Sequence, residues 1–595
     1  MTDAFPPAGV TATGVAARPR WLAMAGAVTM FLVQPPADLW LLAWLAPLPW
    51  LGLVRHAGPL PWGTLWGAGF LHWLLTIHWL RLPHPATAIG WVLLAAYLGG
   101  TLPLFVAAAR WMKRCWHWPL VVAAPVAWIG VEQARGWFLG GFTLGALGHT
   151  QWRVLPLLQV ADLFGACGVG GVVMTVAAAL ATLVATVGAG RGVAATAPDE
   201  ATPLRDRLLP ALAVAAAVLG MALAYGGWRL AGAPSPTAPL LDVLLVQGSI
   251  DTELKHDPAA AGDVLEHYDT LTRQGLAAGA RLPDLVVWPE TMWRYGLLEI
   301  DPAERLPEAV VERVLGGAPP EPSAALDAER QRACRSALEE ERRAALAAYA
   351  RRYGTAWLVG VDRQEITPAA AAGSRHYNTA LCLDATGRVL ARYDKMFPVM
   401  FGEYIPGADR FPWLYRLSPL PAGLTAGREP VAVDLVGARI APTICYETTL
   451  PEALRSLVRR LAAAGQRPDV IVNLTNDGWF WGSSELDMHL RSAVFRAVEV
   501  RTPVVVAANT GFSAWIDGTG RLLARGPRRA TATVRAAVTA DGRWSPWLTW
   551  GSLPTGVCVV VVAITMVGQF RRCLRRPGSA TRGAETTATG PLQTR

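Results

Sequence analysis

The sequence predicts a multi-pass α-helical membrane domain of about eight spans joined to a large α/β domain outside the lipid. Three observations carry this. Only 17% of the 595 residues are charged, and the mean hydropathy of +0.29 is too high for a soluble chain of this length. Long apolar stretches recur through the N-terminal part and once more near the C-terminus. Between them, residues 228–546 alternate short β-rich runs with stretches of helical period.

Taken in order, residues 1–20 are Ala, Pro, Thr and Gly without period and read as a disordered cytoplasmic lead. Residues 21–227 form the membrane domain, with apolar segments at about 21–34, 38–54, 61–80, 88–109, 118–133, 157–188 and 208–226. A last transmembrane helix follows at 547–568, and 569–595 is a basic cytoplasmic tail. The segment at 157–188 is long enough to include a turn outside the lipid, and 188–207 reads as a cytoplasmic loop. With eight spans Arg18, Arg20, Arg55, Arg110, Lys113, Arg114, Arg191, Arg205, Arg207 and the Arg571–Arg576 cluster all face the cytoplasm. The same count puts 228–546 on the far side, tethered at both ends.

The net charge of +9 comes from arginines scattered along the chain and flanking apolar runs, so nucleic acid is not a partner. Cysteines 115, 167, 334, 382, 445, 558 and 573 make no CxxC pair or metal spacing. Neither a disulfide framework, a metal site nor a cofactor is expected.

In the outer domain the β-rich runs are Leu240–Gln247, Leu285–Trp288, Ala356–Val361, Asn378–Leu383, Val389–Tyr393, Val431–Leu435, Ala438–Ile444, Val470–Leu474, Val504–Ala508 and Ser513–Ile516. Helical period runs through Asp263–Ala278, Ala324–Arg352, Pro451–Ala464 and Asp487–Val500. Asp384-Ala-Thr-Gly387 and Asp517-Gly-Thr-Gly520 are hairpin signals. Residues 303–340 look like an inserted loop followed by a solvated helix.

The chemistry centres on Ile444-Cys445-Tyr446-Glu447, where two short strands turned at Val436-Gly437 end in a thiol. A thiol that attacks an acyl carbon needs a base for its proton and a cation or donors for the oxyanion. Glu290 in Val286-Val-Trp-Pro-Glu290 and Lys395 in Tyr393-Asp-Lys395 are of the right types. Taken singly, each has a plainer reading: a free buried cysteine, a turn and a surface lysine. In the membrane part, Glu132 and Arg135 can pair on one helix face, structurally or toward a substrate. His489, at a helix start, reads as a structural hydrogen-bonding residue. Asn473-Leu-Thr475 matches a glycosylation acceptor but lies in a buried strand and is discarded.

These motifs, with Phe401-Gly-Glu403-Tyr-Ile-Pro406, Asn473-Leu-Thr-Asn476-Asp477-Gly-Trp479-Phe480 and Asn509-Thr-Gly-Phe-Ser-Ala514, resemble the carbon–nitrogen hydrolase (nitrilase-like) superfamily. Glu132-Gln-Ala-Arg-Gly-Trp137 with Gly141-Phe142, and Val246-Gln-Gly248, make the chain more similar still to the bacterial apolipoprotein N-acyltransferase family. The resemblance implies an αββα sandwich facing the bilayer on the periplasmic side of the bacterial inner membrane. It implies Glu290 as general base, Lys395 as oxyanion support and Cys445 as thioester nucleophile, with Glu403 positioning the lysine and Tyr446 and Glu447 shaping the pocket. The implied donor is a membrane phospholipid and the acceptor the α-amino group of a lipoprotein's diacylglyceryl-cysteine. The alternative is a membrane-tethered nitrilase-type amidase or hydrolase with water as acceptor. Trp288, Trp293, Trp413, Trp479 and Trp481 are expected on loops at the interface, which favours lipid.

Three departures from the family pattern stand out. Met396-Phe397-Pro398-Val399-Met400 is more apolar than the usual lysine loop, His256 replaces an aromatic, and the 303–340 insertion is long.

Overall fold

The computed structural model describes residues 12–190, 204–234, 239–316, 324–370, 373–408, 410–417 and 423–574. The predicted loop at 188–207, most of the lead and the basic tail therefore fall largely outside the described residues, as does the side chain of His256.

The N-terminal region is built from α1 (Ala12–Leu32), α2 (Leu48–Arg55), α3 (Trp62–Thr76), α4 (Thr87–Gly99), α5 (Thr101–Cys115), α6 (Leu120–Trp137), α7 (Ala161–Gly190) and α8 (Leu204–Ala231). Helix α1 starts inside the stretch expected to be a disordered lead. Four helical stretches are long and apolar enough to cross a membrane: Thr87–Cys115, Ala161–Val187, Asp206–Ala231 and Leu553–Leu574. The eight-span count is not reproduced on that measure. The segment at 38–54 folds as a 3-10 turn, Trp40–Trp44, and the eight-residue α2, which spans only about 12 Å at 1.5 Å per residue. Helix α6 carries Glu132, Gln133 and Arg135, which lower its hydropathy. Helix α7 breaks at Gly165, whose φ of 63° is open to glycine and strained for other residues.

The outer domain holds two six-stranded mixed sheets. The strands are β1 (Leu241–Gln247), β2 (Leu285–Ile300), β3 (Ala356–Ile366), β4 (Ser374–Leu383), β5 (Val389–Asp394), β6 (Val433–Leu435), β7 (Ala438–Ile444), β8 (Val470–Thr475), β9 (Val504–Ala508), β10 (Ala514–Ile516), β11 (Leu522–Arg525) and β12 (Ala532–Val538). One sheet runs β12-β1-β2-β3-β4-β5 and the other β11-β10-β9-β8-β7-β6. In each, three neighbouring strands are parallel and buried on both faces, which is why Val470–Leu474 and Val504–Ala508 are unbroken apolar runs.

The inner faces of the sheets meet through Val243, Leu245, Val287, Leu358, Ile440 and Val472. Outside the first sheet lie α9 (Ala261–Ala277) and α10 (Ala324–Tyr353); outside the second lie α11 (Pro451–Ala463) and α12 (Glu485–Val500). The result is the expected αββα order. The N-terminal half of α10 belongs to the predicted insertion, and Cys334 on it packs with Ile300, Leu306 and Val311, so one face of that helix is buried.

One expectation is overturned here. Trp288 and Trp293 are fully buried, packed against Tyr349 and Trp357 under α10. An indole that buries about 150–250 Å² inside a core is structural. Trp413 and Trp481 are exposed, and Trp479 is half-buried.

The outer domain rests on the membrane helices through polar as well as apolar contacts. Asp162 at the start of α7 is fully buried and accepts from Tyr225 Oη (2.5 Å), Arg229 Nε (2.7 Å), Arg501 Nε (2.9 Å) and Arg501 Nη2 (2.5 Å). Arg491 of α12 pairs with Asp38 at 2.7 Å. Leu157, Ala161 and Val169 share one core with Leu490, Val494 and Val498 of α12.

Candidate active site

The ends of β5 and β7, a bulge inside β2 and one loop converge. Val436 and Gly437 both take positive φ, 52° and 86°, and close the β6–β7 hairpin. Strand β7 then delivers Cys445 into a 3-10 turn, Cys445–Thr449, with the cysteine itself left-handed at φ 49°. A non-glycine residue held there is strained.

Glu290 sits where β2 departs from regular pairing, since the β2–β3 register shifts between Trp288 and Trp293 and Thr291 has φ 55°. The bulge fits against Gly360 of β3: a Cβ there would lie 2.5 Å from Glu290 Cα, Pro289 O and Thr291 N. Glu290 is 5% exposed. Its Oε1 accepts from Asn378 Nδ2 at 2.5 Å and Lys395 Nζ at 3.4 Å, and its Oε2 from the Asn476 amide at 2.9 Å. Lys395 follows β5, and its ammonium donates to Glu403 Oε1 at 2.7 Å. Burial lowers the lysine's pKa, but Glu403, then Glu290, outweigh it and the net direction is upward. The lysine is a fixed cation.

Cys445 is electrostatically coupled to both groups. Burial pushes its thiol well up, Glu290 adds to this, and Lys395 opposes it. Such a thiol is neutral at rest and needs a base beside it. The structure thus brings Glu290, Lys395, Glu403 and Cys445 into one cluster.

Glu447 is 1% exposed and ties the lysine loop to the cysteine turn. It accepts from the Met396 and Ile444 amides, both at 2.7 Å, from the Phe397 amide at 3.1 Å, and from Tyr393 Oη at 2.8 Å to each oxygen. Burial raises its pKa, against the hydrogen bonds from Ile444 and Tyr393. Tyr446 points the other way: its hydroxyl donates to Gly141 O of the membrane part at 2.6 Å, next to Thr143 Oγ1 donating to Thr449 O at 2.5 Å. Glu132 and Arg135 lie 3.9 Å apart on α6, with Glu132 capping the Leu147 amide and Arg135 reaching Leu144 O. They hold the 138–147 segment that meets Tyr446. Asn473 is buried in β8.

Sequence reasoning missed Asn378 and Tyr393 as partners of the two carboxylates. Asn378 sits in a strand whose alternation gave it no special status, and Tyr393 was read only as part of the lysine motif.

The apolipoprotein N-acyltransferase N-terminal domain matches residues 26–179, and the carbon–nitrogen hydrolase model matches residues 246–543. An apolipoprotein N-acyltransferase from Allorhizobium ampelinum is 31% identical over 79% of this chain and 80% of its own length. The chain belongs to the apolipoprotein N-acyltransferase family. Another member, from Rhodopirellula baltica, is 28% identical over 90% of this chain and 95% of its own length. Among solved structures, a Nesterenkonia amidase of the nitrilase superfamily has 18% identity and a TM-score of 0.32, covering 53% of this chain and 95% of the amidase. The protein is an acyltransferase-family member with a nitrilase-like domain joined to apolar helices.

Proposed function

We propose that the protein N-acylates the α-amino group of the N-terminal S-diacylglyceryl-cysteine of lipoproteins, taking the acyl chain from a phospholipid through a thioester on Cys445. The observation that carries this reading is the Glu290–Lys395–Glu403 cluster, electrostatically coupled to Cys445, in a domain flanked by the apolar helices Asp206–Ala231 and Leu553–Leu574.

In the first half-reaction Glu290 takes the thiol proton and Cys445 Sγ attacks the phospholipid ester carbon. The oxyanion is stabilised by the Lys395 ammonium, held in place by Glu403. Collapse breaks the ester C–O bond, and the lysophospholipid leaves with the proton from Glu290. In the second half-reaction the lipoprotein amine attacks the thioester, Glu290 takes the amine proton, and the thiol is released. Asn378 and the Asn476 amide hold Glu290 facing this traffic, while Glu447 and Tyr393 fix the lysine loop.

Phe397, Phe401, Phe411 and Trp413 are exposed on the loops after Lys395, and Met400 lies against Gly140 of the membrane part. Exposed rings beside apolar helices suit a lipid donor. The proposed topology has eight spans, with the shorter helices α2, α3 and α6 completed by their neighbours, and 228–546 on the periplasmic side of the inner membrane. The basic residues flanking the spans support that orientation.

The test is the intact mass of the purified protein after incubation with phospholipid, then with a diacylglyceryl-cysteine peptide, with Cys445→Ala alongside. An acyl-sized adduct that needs Cys445 and passes to the peptide is expected. Cleavage of small amides with no adduct from phospholipid would replace the reading with a tethered amidase.

A further inference from the structure

Beneath the nucleophile turn lies a buried cluster that the reaction above does not use. His489 of α12 is 5% exposed. Its Nε2 lies 3.1 Å from the Cys445 carbonyl oxygen and 2.8 Å from Thr448 Oγ1. The Thr448 hydroxyl donates its own proton to the same Cys445 carbonyl at 3.0 Å, so it presents a lone pair to the ring. Nε2 therefore faces only acceptors and must carry a proton. On the other edge, Nδ1 lies 3.1 Å from Asp477 Oδ1 and 3.8 Å from Glu485 Oε1. Asp477 Oδ1 also accepts from Thr475 Oγ1 at 2.8 Å. Nδ1 also faces acceptors. A histidine with acceptors on both nitrogens is an imidazolium.

Every charged or titratable group shown facing the ring belongs to this set. Asp477 comes from the turn after β8 and Glu485 from the preceding turn of α12; Leu490, Ala493, Val506 and Phe512 close the adjacent space. Burial pushes Glu485 well up, and Asp477 adds to this. Burial lowers the ring's pKa, but Asp477 outweighs it and holds the ring at about 9. Asp477 is also one of the groups that oppose ionisation of the Cys445 thiol.

We propose that His489 is a positioning residue for acyl transfer: as an imidazolium between the Asp477 carboxylate and the Cys445 carbonyl, it fixes the left-handed nucleophile turn and cancels an anion that would otherwise oppose the thiolate. The proposal rests on the reading of Cys445 as the nucleophile. Three donors grip the Cys445 carbonyl: Thr448 Oγ1, His489 Nε2 and, at 3.4 Å, Asn473 Nδ2. His489 alone among them brings a charge.

The experiment is the rate of Cys445 alkylation by iodoacetamide in the full-length protein without lipid, read by peptide mass from about pH 5 to about pH 10. Wild type, His489→Gln, Asp477→Asn and the double variant are compared. His489→Gln leaves Asp477 uncancelled and should slow alkylation about tenfold or more at each pH below the thiol's pKa, where the rate follows the thiolate fraction. Its acyl-enzyme formation should fall ~10-fold near neutral pH and recover as pH rises. Adding Asp477→Asn should bring the alkylation rate back toward wild type. Asp477→Asn alone removes both charges together and should leave it close to wild type. It carries the test should His489→Gln not accumulate.

A lowered melting temperature with an unmoved alkylation profile, or no recovery in the double variant, would reduce His489 to a structural role. A stoichiometric divalent ion in the purified protein, lost in His489→Gln, would also overturn the proposal by making the ring a ligand. Failure of the nucleophile reading is separate, because it shows as an acyl adduct on Cys445→Ala.

Discussion

Lys395 Nζ lies closer to Glu403, at 2.7 Å, than to Glu290, at 3.4 Å. The lysine's main partner is thus Glu403 and not Glu290, the proposed base. Glu403→Gln leaves the ammonium with Glu290 alone, and Glu290, pulled into that pairing, becomes a poorer base. We expect kcat to fall about 10²-fold with a smaller change in KM. Because burial pulls the lysine's pKa down and Glu403 is the largest group pushing it up, the alkaline limb of the pH–rate profile should move to lower pH. An alkaline limb that stays in place would assign Lys395's charge state to other neighbours.

Gly360 carries no chemistry, yet it packs against the bulge that positions Glu290, the proposed base. A methyl group there meets Glu290 Cα and two backbone atoms at 2.5 Å. Gly360→Ala should displace the bulge and cut acyl-enzyme formation at least ~10-fold, given the sensitivity of positioned groups to shifts of about 1 Å. Circular dichroism of the variant should remain that of wild type, and full activity would show that the bulge relaxes without cost.

Removing one partner of a buried ion pair leaves the other charge uncompensated. Asp162→Asn strands Arg501, which has 0% exposure, together with Arg229. The expected loss is about 3–5 kcal/mol, read as a lowered melting temperature in detergent. Asp162→Asn with unchanged melting would mean that the arginines find other acceptors.

His489 also gives stability a pH signature. Its pKa is raised from 6.5 to about 9 in the folded protein. A raised pKa stabilises fully below the unfolded value and loses that contribution as pH climbs through the folded one. The melting-temperature gap between wild type and His489→Gln should therefore be widest below pH 6.5 and should shrink between there and pH 9. A gap independent of pH would mean that the ring does not titrate in this window.

The two sheets were legible because their parallel strands are buried on both faces, and a continuous run such as Val504–Ala508 has few other uses. Strand β12 was missed: Ala532–Val538 is alanine-rich and half-exposed, and its pairing with β1 is fixed by a partner nearly three hundred residues away in sequence. Strand β2 runs on to Ile300 past the predicted end at Trp288, because Pro289-Glu290 is read locally as a break while β3 holds the chain through it. Glu290, Lys395 and Cys445 were found as residue types in family motifs. What the motifs do not give is how these residues pair: Asn378 with Glu290 and Tyr393 with Glu447 join stretches far apart in sequence, and Asp477 meets His489 across the turn before α12. Burial misled in the other direction at Trp288 and Trp293, since composition cannot separate an interfacial indole from a core one.

The hydrogen bond from Tyr446 to Gly141, with its neighbour from Thr143 to Thr449, brackets the cysteine turn from the membrane side. The geometry of the thiol is consequently the joint property of two parts of the chain. Excising residues 228–546 would give a piece that keeps both sheets and all three reactive side chains but loses one wall of the turn that aims them. A graft of this domain onto another anchor would inherit the fold without inheriting the aim.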